Sequence, residues 1–235
     1  MRQVFLDTET TGLSAEQGDR IVEIGCIELV NRRHTGRTLH HYVNPQRSSH
    51  PDALRVHGLT EDFLAEKPPF AAIASEVIEF VKDADVVIHN AAFDVSFLDA
   101  ELKRVGHAGL VTHAARITDS LLLAREAFPG KSNSLDALCK RLEVDNSQRE
   151  LHGALLDAGL LAEVYLRMTR GQGSLVIDSG QGSTAAQLEA SIDLQSVDLP
   201  VLLPSAAELA AHEAVLAEID TASGGKTLWR QLQAA

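Results

Sequence analysis

Five side chains in this sequence have the types and spacings to do chemistry together. Asp7 and Glu9 stand two apart in Phe5-Leu6-Asp7-Thr8-Glu9-Thr10-Thr11-Gly12. On a strand, residues two apart share a face. Two carboxylates held side by side repel, so a site that keeps both ionised needs a cation, or else one carboxyl keeps its proton. Asp94 closes His89-Asn90-Ala91-Ala92-Phe93-Asp94, directly after the apolar run Asp85-Val86-Val87-Ile88. A strand that runs straight into a helix sets polar side chains at the carboxyl edge of a sheet, where open α/β sheets bind ligands. The third group is His152-Gly153-Ala154-Leu155-Leu156-Asp157. Five helical residues turn roughly 140° beyond a full circle, so His152 and Asp157 cannot face one way from a single helix. His152 therefore belongs in the loop leading in, and Asp157 on the helix itself.

Singly, each group has an ordinary explanation. Asp7 and Glu9 suit a solvated strand end, Asp94 a helix N-terminus that favours negative charge, and His152 a surface position at a helix start. Together they supply four carboxylates and one imidazole. Hard oxygen ligands in this number suit Mg²⁺ or Mn²⁺, not zinc. Two such ions roughly 3.5–4 Å apart stabilise the attacking and leaving oxygens of a phosphodiester displacement. An imidazole is then the fitting group to take the proton of the attacking water.

The elements that must position these groups are strand-rich at first and helical later. Gln3–Leu6, Ile21–Val30 and Arg37–Val43 read as strands, and Asp85–Ile88 as a short buried one. Pro68 and Pro69 open a helix with Ile73, Val77, Ile78 and Val81 at helical spacing. Ala91–Val105 follows, with Phe93, Phe97, Leu98 and Leu102 on one stripe, and further helices are expected over Ser120–Phe128, Ser134–Leu142 and His152–Met168. Three early strands followed by strand–helix alternation indicate an α/β domain with a mixed sheet.

Composition narrows the class. The 235 residues are 45% hydrophobic, enough for a core, while aromatics at 4% argue against stacking platforms for nucleic acid. Cys26 and Cys139 are the only cysteines, too few for a disulfide framework or a four-thiolate zinc site. The apolar run before Asp7 is too short for a signal peptide, and nothing approaches the roughly 20 apolar residues of a membrane helix. A soluble, reducing, cytoplasmic setting is expected. Net charge is −12, so a basic nucleic-acid clamp is not expected, although carboxylates that hold cations can still serve a polyanionic substrate. Residues 171–235 carry −6 of that charge, the same deficit as the first 170.

Composition changes at Gly171, where Gly-Gln-Gly-Ser and then Asp-Ser-Gly-Gln-Gly-Ser-Thr have linker chemistry. Ser205 and Glu208 form a candidate capping box for a helix with Leu209, Leu216 and Ile219 on one side, ending before Ser223-Gly224-Gly225. Gly225-Lys226-Thr227 is not a phosphate-binding loop, because the motif would need glycine where Asp220 stands. There is no internal repeat.

The segments FLDTETTGL, VHGLT, HNAAFD, FPGKSNSLDALC and LHGALLDA, spread over residues 4–168, closely resemble the exonucleases with an Asp-Glu-Asp-Asp metal site and a His general base. Within these, the chain is similar to the epsilon (proofreading) subunits of bacterial DNA polymerase III. The resemblance implies a ribonuclease-H-like fold: a mixed five-stranded sheet flanked by helices, plus a flexible C-terminal tail with a short helix. It implies 3′→5′ removal of mispaired terminal nucleotides as 5′-monophosphates. By resemblance, Asp7, Glu9 and Asp157 hold one Mg²⁺ or Mn²⁺, Asp7 is shared with a second, Asp94 acts on that second ion through water, and His152 is the base. Thr10, Leu13, Asp52, Val56, His57, His89, Asn90 and Phe93, with Asp7, Glu9 and Asp157, match positions around the terminal nucleotide.

The tail is divided by the same comparison. Residues 1–170 would be the exonuclease domain and 171–187 a linker with a clamp-binding-like peptide, Gln172 followed by anchors Leu175 and Ile177. Residues 188–235 would bind the polymerase alpha subunit, with Leu228 and Trp229 as anchors. The implied partners are a DNA 3′ end, the alpha subunit, the sliding clamp and a small theta-like subunit, at the replisome on the nucleoid. Two other readings share these residues: a stand-alone DNA or RNA 3′ exonuclease, and a scaffold that bridges polymerase and clamp after its catalysis has lapsed.

Overall fold

A computed structural model describes residues 1–147, 149, 151–170, 203–225 and 229. The chain divides into two compact units, Met1–Ile177 and Asp178–Ala235. In the first, β1 (Arg2–Thr10) is the middle strand of a five-stranded sheet. β2 (Ile21–Val30) pairs with it antiparallel, and β3 (Arg33–Tyr42) pairs antiparallel with β2. On the other side β4 (Asp85–Ile88) and β5 (Arg116–Asp119) run parallel to β1, giving the order β3-β2-β1-β4-β5. The mixed sheet is the one expected.

Side-chain alternation sends β1 into two cores. Val4 and Leu6, with Val86 and Ile88, face one layer containing Phe70, Ile73, Phe97 and Leu98. Phe5 and Val87 face the other, with Leu138, Leu161 and Val164. The first layer is built from α3 (Phe70–Val81) and α4 (Ala91–Arg104), the second from α6 (Ser120–Ala127), α7 (Leu135–Arg141) and α8 (Ala154–Met168). A central strand buried on both faces has no solvent side, which is why β1 reads as an apolar run until its carboxylates begin. Short helices α1 (Pro51–His57), α2 (Glu61–Ala65) and α5 (Leu110–His113) complete the unit.

Several boundaries differ from the sequence expectation. β3 begins at Arg33, not Arg37, because Asn31 and Arg32, at φ 50° and 64°, make a two-residue hairpin turn. No glycine marks that turn, so its sequence signal is faint. The last helix of this unit begins at Ala154, leaving His152 in the preceding loop. β5 and the short helices carry too few apolar residues to show periodicity: the four residues of β5 include no buried one.

One contact in this packing decides where α8 sits. Gly25 pairs with Asp7 across β1 and β2, and a Cβ at Gly25 would fall 2.2 Å from the Leu155 backbone nitrogen and 2.3 Å from the Ala154 carbonyl carbon. The first turn of α8 therefore rests directly on the strand pair that carries Asp7. Gly25→Ala is expected to push the helix away at a cost of about 2 kcal/mol or more. This corresponds to a melting temperature lowered by roughly 4–8 °C. An unchanged thermal melt would show that α8 does not need this approach.

In the second unit, α9 (Ala206–Ser223) starts with the expected capping box: Ser205 Oγ accepts from the Glu208 amide at 3.3 Å, and Glu208 Oε2 accepts from the Ser205 amide at 2.8 Å. It runs through Ser223 and ends at Gly224, whose φ of 64° suits a residue without a side chain. The Trp229 ring is exposed and meets His212 edge-on at 6.4 Å. The proposed clamp peptide (Gln172, Leu175, Ile177) and Leu228 lie outside the described residues. Among the described residues, no helix is long and apolar enough to cross a membrane.

Candidate active site

Three elements meet at the carboxyl end of β1. The strand supplies Asp7 and Glu9, the first turn of α4 supplies Asp94, and the first turn of α8 supplies Asp157. Glu9, Asp94 and Asp157 are buried, at 8%, 3% and 2% exposure, where an uncompensated carboxylate is costly. Ligand atoms of Glu9, Asp157 and His152 all lie within 4.8 Å of one another. Asp94 is fixed by Thr8, whose hydroxyl and amide both donate to Asp94 Oδ1, at 2.7 and 3.1 Å. His152 stands in the loop before α8, its side chain 46% exposed, with its amide donating to the Val56 carbonyl at 3.1 Å. That bond ties the loop to α1. Leu151 fits beside it over Gly58, which is at φ 70°, with Leu151 Cδ1 2.6 Å from where a Cβ would stand.

The crowding of carboxyls registers in their acidity. Burial first, then the Asp94, Glu9 and Asp157 charges, hold the Asp7 carboxyl well above the usual carboxylate range. Burial, followed by Asp157 and Glu23, pushes Glu9 up to about 8. Burial raises Asp94 to about 7 despite the opposing Thr8 hydrogen bonds. A raised carboxyl pKa means that the folded state resists ionisation, so its stabilising contribution is full below the unfolded pKa and fades as pH rises through the folded value. Without divalent ions, the melting temperature is therefore expected to fall by several degrees between about pH 4.5, the ordinary glutamic acid range, and pH 8, where Glu9 ionises. Added Mn²⁺ should flatten that fall. A metal-free melting curve that rises over this interval would contradict the assigned repulsion.

The donor set suits divalent cations. It consists of oxygens from four carboxyls plus one imidazole, with the repulsion that bound positive charge relieves. A cationic side chain already occupies part of it. Arg149 donates from Nε to Asp157 Oδ1 at 2.5 Å and from Nη2 to Oδ2 at 2.6 Å.

Beside the carboxylates lies a cavity of about 610 Å³. Seven of the residues expected around a terminal nucleotide line it: Glu9, Thr10, Leu13, Asp52, Val56, His57 and Phe93. Leu13 and Val56 are exposed apolar side chains on its wall, Leu13 at 87%. Asp52 is highly exposed and pairs with Arg55. His57 is 4% exposed; its Nδ1 accepts from the Leu59 amide at 3.0 Å, and its Nε2 has no hydrogen-bond partner. Burial lowers the His57 pKa, and the Thr10 backbone pulls the other way without an ordinary hydrogen bond forming at Nε2. A neutral ring that accepts at Nδ1 carries its proton on Nε2, an atom that is itself buried, beside the Thr10 backbone.

His89 and Asn90 are placed elsewhere, on a second cavity of about 640 Å³ that Arg125 and Lys131 also line. His89 Nε2 donates to the Asn133 carbonyl at 3.0 Å, which leaves Nδ1 to accept from Ser120 Oγ at 2.9 Å. Both ring nitrogens are thus engaged within the protein. Asn90 adopts φ 65° at the cap of α4, where its amide donates to Asp119 Oδ1. Sequence reasoning passed over Thr8, Gly25 and Arg149. Thr8 lies between the two acids, and its hydroxyl in that position was the available signal. Gly25 acts through a contact far along the chain, and Arg149 through the way its loop folds back on Asp157, so neither left one.

The exonuclease family model matches residues 4–165. The chain is 47% identical over 237 residues to the DNA polymerase III subunit epsilon of Escherichia coli strain K12, covering 97% of each. It is 44% identical over 242 residues to the corresponding subunit of Haemophilus influenzae, covering 97% of this chain and 94% of that one. Among solved structures, exonuclease X in complex with 5′-overhanging duplex DNA superposes with a TM-score of 0.55 at 26% identity, over 74% of this chain and 94% of that one. A zinc-bound E. coli exonuclease I complex with single-stranded DNA superposes with a TM-score of 0.64 at 20% identity, over 73% and 41%, and shares the fold.

Proposed function

The chain belongs to the exonuclease family and, within it, to the DNA polymerase III epsilon subunits, and from that membership as a 3′→5′ proofreading exonuclease we propose how its residues divide the work. Asp7, Glu9 and Asp157 would hold one divalent ion, Asp7 would be shared with a second, and Asp94 would serve that second position. Mg²⁺ or Mn²⁺ suits the all-oxygen carboxyl set better than zinc. The observation that carries this reading is the convergence of Glu9, His152 and Asp157 within 4.8 Å beside the buried Asp94. When bound, the ions supply charge stabilisation to the attacking and leaving oxygens.

The chain's own groups do the rest. His152, on a partly exposed loop, accepts the proton of the attacking water and passes it on to solvent. Thr8 fixes the Asp94 carboxyl in one orientation. The 610 Å³ cavity receives the terminal nucleotide: Leu13, Val56 and Phe93 offer apolar contact, and Thr10 and His57 line it beside them. Asp52 sits at the exposed rim. The engaged ring of His89 supports a bracing role beneath α4, with Asn90 nearer the approaching strand.

Partner assignments extend the reading along the tail. The alpha subunit is proposed to take the C-terminal segment through the exposed Trp229 and its neighbour Leu228, and the sliding clamp to take Gln172, Leu175 and Ile177. A small theta-like subunit as a further partner and a location at the nucleoid belong to the same proposal. The test is 3′-labelled single-stranded DNA and its RNA counterpart, incubated with the purified chain in Mg²⁺ or Mn²⁺ and in chelator. Metal-dependent, stepwise release of deoxynucleoside monophosphates with poor RNA cleavage is expected. Equal or faster RNA trimming would move the function to RNA processing.

A further inference from the structure

We propose that Arg149 is the resident counter-cation of the metal-free site, holding Asp157 and His152 in a resting arrangement that a divalent ion must open in order to bind. The inference rests on the reading above, in which Asp157 holds metal and His152 is the base. The Arg149 side chain is 7% exposed, and its guanidinium is committed on every edge. Nε and Nη2 form a parallel fork on the two oxygens of Asp157, at 2.5 and 2.6 Å. Nη2 also donates to His152 Nδ1 at 3.1 Å. Nη1 donates outward to Asp136 Oδ1 at 2.7 Å, where the Asp136 side chain is 58% exposed. A surface arginine kept for solubility would leave most of its five N–H donors to water.

Two consequences follow from this geometry. A forked, charge-assisted pair uses the Asp157 oxygens that a metal ion needs, and a second cation brought to the same carboxylate meets the guanidinium charge at short range. Arginine has no acceptor, so the bond to His152 must end on an imidazole lone pair. A neutral imidazole has one such lone pair, and while Arg149 donates into it the ring cannot take a proton from water. Opening the fork frees both groups together. Arg149 thereby couples ion binding at Asp157 to release of His152, whose Nδ1 also stands 3.7 Å from Asp157 Oδ2. Asp136 is the outer anchor, on the first turn of α7 and remote from the carboxyl cluster in sequence.

The direction of the effect separates this role from simple scaffolding. A scaffold arginine, once removed, would weaken ion binding by disordering the site. A competing counter-cation, once removed, strengthens it. The experiment is calorimetric titration of the full chain with Mn²⁺ alone, comparing wild type, Arg149→Gln, Arg149→Lys and Asp136→Asn, with circular dichroism and metal-free melting on each. Arg149→Gln should bind Mn²⁺ about tenfold or more tightly, since hydrogen bonds between charged groups are worth that much. Its metal-free melting temperature should fall, and Mn²⁺ should restore it. Arg149→Lys keeps the charge but loses the fork, and should lie between. Asp136→Asn, a surface change, should tighten binding in the same direction by a smaller factor. Unchanged or weaker Mn²⁺ binding by a folded Arg149→Gln would overturn the inference, as would an unchanged Asp136→Asn if Arg149→Gln fails to fold. If the wild type itself binds no Mn²⁺, the metal-site reading falls first and this inference falls with it.

Discussion

Asp7→Ala should abolish exonuclease activity while leaving the fold intact. Asp7 is the carboxyl on which the burden of the cluster falls: burial and all three neighbouring acids act on it. It stands on the central strand opposite Gly25, so its position is set by backbone pairing and not by a mobile side-chain contact. On the proposed assignment, in which Asp7 is shared by two ions, its loss removes several kcal/mol of charge stabilisation from the transition state. At 1.36 kcal/mol per factor of ten, turnover should drop by about 10³-fold or more. The same substitution removes one of the crowded, buried carboxyls, so the metal-free variant should melt no lower than the wild type near pH 8. Measured together, single-turnover hydrolysis and thermal melting separate a lost ligand from a lost fold. Turnover within tenfold of wild type would remove Asp7 from the metal site.

His152→Ala is expected to lower the rate by ~10²–10⁴, the span typical of a lost general base. The residue is tethered through its backbone to Val56 and not through its ring, so the substitution keeps the loop's attachment to α1. Mn²⁺ affinity should change far less than the rate. A base also leaves a mark on the pH profile: the acid limb of kcat should be lost in the variant. A rate loss below tenfold, with the acid limb intact, would make His152 a positioning residue and send the search for the base elsewhere.

Much of this site was legible because its pieces sit at points where chain direction is fixed. Asp7 and Glu9 end a buried strand, and Asp94 opens a helix immediately after another, so strand and helix periodicities alone bring three carboxylates to one edge of the sheet. The separation of His152 from Asp157 followed from helical geometry, and the helix does begin between them, at Ala154. What periodicity cannot reach is contact between distant segments. Gly25 looks like a weak point in a strand until Leu155 is found against it. His89 follows a buried strand and reads as a site residue, yet both of its nitrogens close on Ser120 and Asn133, groups 31 and 44 residues away. Arg149 stands among ordinary polar residues, and only the folded chain brings it to Asp157. The hairpin at Asn31 and Arg32 was faint for a local reason: positive φ was met without glycine.

If these carboxylates form one site for two divalent ions, electron paramagnetic resonance of Mn²⁺ titrated into the full chain will register it. Two Mn²⁺ per chain are expected, with spectra that show the spin coupling of ions roughly 3.5–4 Å apart and lose the coupled signal in Asp7→Ala. Two uncoupled ions, or a coupled pair that survives Asp7→Ala unchanged, would contradict it.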